Sequence, residues 1–127
     1  MEAAIERLAI ISFLVIGLSH VIQHRVWAQF FIDLREKGKA GSFISAFIHF
    51  PLGALIVTFH NVFHGIPLIL TLIGYGLVIK SAIYFIIPSV GVRSLSRVSL
   101  ERSWEFAVAG IFLIGLGGLF LYHAVTS

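Results

Sequence analysis

Four long apolar runs, roughly Ile5–Gln23, Phe43–Phe63, Ile66–Ile87 and Trp104–Val125, fill most of this 127-residue chain. About 20 apolar residues are what a helix needs to cross the hydrocarbon core of a bilayer. Inside that core every backbone polar group must find its partner within the protein, which helices do locally. The sequence therefore predicts an all-α integral membrane protein, a single bundle of four antiparallel transmembrane helices over residues 1–127. Hydrophobic residues make up 58% of the chain and charged residues 12%, both far from soluble-domain averages. There is no cysteine, so disulfides, thiolate metal sites and thiol catalysis are excluded.

The formal charge is +3, and its placement points to lipid rather than nucleic acid. Seven of the nine basic residues, Arg25, Arg35, Lys37, Lys39, Arg93, Arg97 and Arg102, fall in the connections after the first and third runs. By the positive-inside rule these connections face the cytoplasm of a plasma or inner membrane, with the N- and C-termini on the other side. The N-terminal run is read as a retained first span, because it is long for a signal core and no small-residue cleavage site follows it.

The first basic connection is more than a loop. Trp27, Phe30, Phe31 and Leu34 recur at helical spacing, while Arg25, Gln29, Asp33 and Glu36 take the other faces. This predicts an amphipathic helix over about 25–36 lying in the membrane interface. The stretch Pro88–Ser103, with Leu95 and Val98 beside Arg93 and Arg97, reads as a shorter version of the same device. Between the second and third runs, His64-Gly65-Ile66-Pro67 reads as a tight turn. A shift of 63 residues superposes Phe43 on Phe106, Ala46 on Ala109 and His60 on His123. A shift of 57 aligns Ile16-Gly17 with Ile73-Gly74. Two readings fit these matches, a 2+2 parallel repeat and chance similarity in apolar sequence.

Chemistry has few residues to work with. His20 and His24 are four apart, as are His60 and His64, a spacing that puts both imidazoles of a pair on one helix face. Counting depth along antiparallel spans adds His49 to the first pair and His123 to the second, giving a three-histidine group near each membrane face. Such groups can hold a transition metal, or a pair of them a haem. The competing reading is that these are interfacial side chains bonded to water, headgroups or carbonyls. The second group lacks a nearby carboxylate, Glu2 and Glu6 being distant in sequence.

In the second span Ser42, Ser45, His49, Gly53, His60 and His64 form one polar stripe, which predicts an inward-facing surface or a solvated cavity. Lys80 is the only formal charge well inside a span, and Gly76, Lys80 and Tyr84 share a face. It is read either as a site residue, paired with Glu101, Glu105 or Tyr84, or as a snorkelling side chain. Gly110, Gly117 and Gly118 in the fourth span mark a close helix–helix interface, within the subunit or between subunits. No Ser-His-Asp arrangement is present, the only aspartate being Asp33, so the reading leans away from an enzyme.

Three functions follow from these features. The leading one is a non-enzymatic, oligomeric transporter- or channel-like unit whose cavity is lined by His49, Gly53, His60, Lys80 and Tyr84. The second is a haem- or metal-binding electron-transfer protein using His60, His64 and His123, or His20, His24 and His49. The third is an accessory subunit of a larger membrane complex. The expected partners are membrane lipids and further copies or subunits.

Overall fold

The computed structural model describes residues 1–127 and contains six helices and no strands. They are α1 (Glu2–Ile22), α2 (His24–Glu36), α3 (Lys39–Phe59), α4 (Pro67–Ile86), α5 (Pro88–Leu95) and α6 (Trp104–Thr126). Four of them, α1, α3, α4 and α6, are long and apolar enough to cross a membrane. The chain is thus a small polytopic membrane protein. The short α2 and α5 occupy the two basic connections, α2 where the amphipathic pattern predicts it and α5 in the shorter stretch.

Local chemistry sets the breaks. Gln23 leaves helical geometry (φ −112°, ψ 38°) and separates α1 from α2. Gly38, at φ 60°, turns the chain from α2 into α3, a conformation other residues adopt at a cost. Ile87 is pushed out of the helical region (φ −124°, ψ 75°) by Pro88, which opens α5. Pro88 also has no N–H to give to the carbonyl of Tyr84, and the Ser42 hydroxyl donates to that carbonyl instead, at 3.2 Å. Pro51 lies on an exposed part of α3, which runs through it without interruption.

Packing is uneven. The main helix pairs are α1 with α6 and α3 with α4, and the two pairs touch each other only sparsely. In the first, Phe13 meets Phe120, Leu14 meets Gly117, and Gly17 meets Gly110 and Ile114. In the second, Ser42 reaches Tyr84, Gly53 meets Leu77 and Val78, and Ile56 meets Gly74. A core of Ile5, Ala9, Ile10, Phe13, Ile56, Leu70 and Phe120 fills the end of the bundle near the start of α1. At the other end α2 and α5 lie against each other and against α3. Arg35 of α2 donates to the Val98 carbonyl at 2.8 Å, so the two basic connections are joined. Large apolar side chains such as Ile11, Phe47, Ile79, Ile111 and Phe112 are exposed, as the outer surface of a membrane bundle requires.

Candidate functional site

Where the packed core ends, a cavity begins beneath α2 and α5. Its polar limb, about 250 Å³ and open on one side, is lined by His20, Ser45, His49, Lys80, Tyr84 and Ser94, together with Phe31, Leu95, Val98 and Phe106. Its apolar limb, about 370 Å³, runs among Phe13, Leu52, Ile73, Leu77, Leu113 and Leu116. His20, Phe31, His49 and Lys80 line both limbs, which therefore adjoin. Either volume is near the lower end of the roughly 300–1,000 Å³ typical of small-molecule sites.

The two histidines are held in the same way. His20 Nδ1–H donates to the Ile16 carbonyl and His49 Nδ1–H to the Ser45 carbonyl, each at 2.8 Å. A carbonyl can only accept, so the proton of the neutral ring sits on Nδ1 and the lone pair on Nε2. Neither Nε2 has a protein partner, and the protein contains no buried side-chain nitrogen without one, so both Nε2 atoms are open. Trp27 fixes the lid: its Nε1–H donates to Ser19 Oγ at 2.9 Å, and its ring stacks on His20 at 4.1 Å. Phe31 stacks on Phe106 at 5.6 Å. Lys80 has no ion pair, and its ammonium stands 5.6 Å from the Tyr84 ring.

The sequence expectations divide here. His49, Lys80 and Tyr84 come together on the chamber, joined by His20. Gly53 instead forms the contact of α3 with α4, where a Cβ would stand 2.8 Å from that of Leu77. Both histidine pairs at spacing four are split, because each straddles a helix end. His24 opens α2 and its Nδ1 shares a hydrogen bond with Ser103 Oγ at 3.0 Å. His60 is the non-helical cap of α3 (φ −136°, ψ 88°), and His64 is exposed in the turn beyond it. His123 shares a hydrogen bond with Ser127 within α6 and its cap. No three histidine or acidic side chains gather closely enough to hold a metal ion, which corrects the expectation of two three-histidine groups. Glu101 and Glu105 do not reach Lys80, since Glu105 pairs with Arg102. The apolar face of α2 divides between the bundle and the outside. Leu34 is only 3% exposed and packs on the bundle, and Trp27 and Phe31 roof the chamber, leaving Phe30 exposed.

Away from the chamber, at the packed end, lies a polar contact that spans three helices. His60, fully buried, donates Nε2–H to Glu6 Oε2 at 3.0 Å and shares a hydrogen bond from Nδ1 to the Thr71 hydroxyl at 3.0 Å. The Thr71 hydroxyl oxygen also accepts from the Val62 N–H at 3.2 Å and lies 2.8 Å from the Val62 carbonyl, which ties down the turn between α3 and α4. Glu6, distant in sequence from the outer histidines, is the carboxylate that reaches one of them. Its depth, one turn into α1, is the signal that pairs it with the end of α3. Comparison with protein-family models, curated proteins and solved structures finds no match, so the function is argued from these residues alone.

Proposed function

We propose that this protein is a transporter-like membrane unit whose chamber receives a small ligand within the bilayer. One observation carries the reading: His20, His49 and Lys80, from three different spans, converge on a single cavity that the rest of the bundle leaves unfilled. Polar groups at membrane depth face protein partners or a solvated space, and here the open Nε2 atoms have no protein partner, while the exposed Lys80 ammonium meets only the Tyr84 ring. The cysteine-free chain makes the test direct. His49→Cys should react with a membrane-impermeant thiol reagent, whereas Leu70→Cys in the core should not. Reaction shows that the chamber is open to water, as a transported ligand requires. A His49→Cys as inert as Leu70→Cys would sink the reading.

The remaining features of this reading concern arrangement. Contact partners run in opposite directions along α1 and α6, and along α3 and α4, which supports antiparallel spans. The order long helix, short helix, long helix occurs twice. Exchanging the halves maps the pair α1–α6 onto α4–α3, as a 2+2 parallel repeat requires. The two joined basic connections favour a cytoplasmic position for that end, with the start of α1 and the end of α6 outside. Gly115 and Gly118 leave open space on the outer face of α6, a surface suited to a second copy or another membrane subunit.

A haem-binding reading is favoured by one specific observation. Both His20 and His49 have Nδ1 tied to a carbonyl and Nε2 free on a shared cavity, the arrangement an axial histidine pair uses. It predicts a Soret band in the purified protein that disappears in His20→Ala and His49→Ala. His60 no longer belongs to it, because its Nε2 is engaged by Glu6.

A further inference from the structure

Taken as a ligand chamber, as proposed above, the cavity has two limbs whose chemistry differs enough to name what it holds. Lys80 brings a formal positive charge to their junction, yet no aspartate or glutamate lines either limb. The acidic side chains are engaged elsewhere, Glu6 with His60, Glu36 with Arg35, Glu105 with Arg102 and Asp33 with Gln29. Glu2 and Glu101 are exposed outside the chamber. An ammonium within a membrane span is costly unless a counter-charge or water meets it. Lys80 is exposed and has no carboxylate partner in the protein, so its ammonium is free to pair with an anionic group on a ligand.

The apolar limb defines the rest of that ligand. It extends over about 10 Å, the seven-residue rise from Phe13 to His20 and from Ile73 to Lys80. Its volume of about 370 Å³ suits one aliphatic chain rather than the two of a bilayer phospholipid. It also reaches the lipid-facing surface, because Ile48 and Phe112 line it while 43% and 67% exposed. The sparse contact between the pairs α1–α6 and α3–α4 leaves a lateral way in. We infer that the chamber binds a single-chain amphiphile with an anionic head, carboxylate or phosphate. The head rests on Lys80 beside His20 and His49, and the tail lies among Phe13, Leu52, Ile73, Leu77 and Leu116.

The test uses the full chain in nanodiscs of zwitterionic lipid, titrated with a fluorescent long-chain carboxylate. Competitors of equal chain length are the carboxylate, its methyl ester, the alcohol and the alkyl phosphate. The anionic competitors are expected to displace the probe at least tenfold better than the ester and alcohol, and whichever anion is stronger identifies the head. Lys80→Met should abolish that preference and Lys80→Arg should keep it, with thermal unfolding confirming that both fold. Leu77→Trp, which fills the tail limb, should weaken every competitor. Equal competition by ester and anion, or a preference that survives Lys80→Met, would overturn the anionic head while leaving the chamber in place. Absence of binding by all four, together with an inert His49→Cys, would overturn both.

Discussion

The Glu6–His60–Thr71 contact adds a polar link, beside the apolar core, between two helix pairs that meet only sparsely elsewhere. Its three members come from α1, the cap of α3 and α4, and both ring nitrogens of His60 are engaged. Replacing His60 with alanine strips the Glu6 carboxylate of its partner, and leaving such a group unpaired costs about 1–3 kcal/mol. His60→Ala is therefore expected to lower stability in detergent unfolding by that amount. A double-mutant cycle with Glu6→Ala should return a coupling of about 0.6 kcal/mol, the average for hydrogen bonds between membrane helices, and no more than about 1.7 kcal/mol. Strict additivity of the two changes would mean that the contact contributes nothing. The residue was visible in the sequence, but its partner was not, since the two are 54 positions apart.

Between helices, glycine decides how close two axes come. At Gly110 an added Cβ would stand 2.5 Å from the Gly17 carbonyl oxygen, and at Gly17 one would stand 2.9 Å from that of Gly110. Backbone meets backbone there, so neither side can yield by changing rotamer. In lipid such packing, rather than hydrophobic burial, holds helices together. Gly110→Ala should cost about 1–3 kcal/mol as an overpacking change, and Gly110→Leu should separate α1 from α6, as read by unfolding in graded denaturing detergent. Gly115→Ala has open space around it and should stay within about 0.5 kcal/mol of the parent. The glycine-rich stretch of α6 was legible as an interface. Which glycines pack inward was not, because Gly110 and Gly117 are buried against α1 whereas Gly118 opens outward.

For the whole molecule, the clustering of basic residues at the α2–α5 end makes a prediction about orientation. Lys37→Cys and Ser96→Cys should be labelled by an impermeant thiol reagent in inverted vesicles and protected in intact cells, with Thr126→Cys showing the reverse pattern. Labelling of all three from one side would refute the proposed topology. The uneven filling of the bundle, packed at one end and hollow at the other, makes a second prediction. Substituting Leu77, which lines the chamber, with alanine should destabilise less than Leu70→Ala in the core, where about 2–5 kcal/mol is expected.

The amino-acid sequence determined the membrane class, the number of spans, the helix after the first span and the inward stripe of Ser42, Ser45 and His60. These follow from local quantities, apolar length and helical period, that add up along the chain whatever the neighbours do. Tertiary structure decided the rest. A break at Gln23 and a non-helical cap at His60 undid two histidine pairs that spacing alone had aligned. Pairing of α1 with α6 and α3 with α4 then chose which polar groups meet, bringing His20 and His49 to one chamber and Glu6 to His60. Such meetings depend on where helices end and how closely glycines let them approach, and neither is encoded in the periodicity of a single segment.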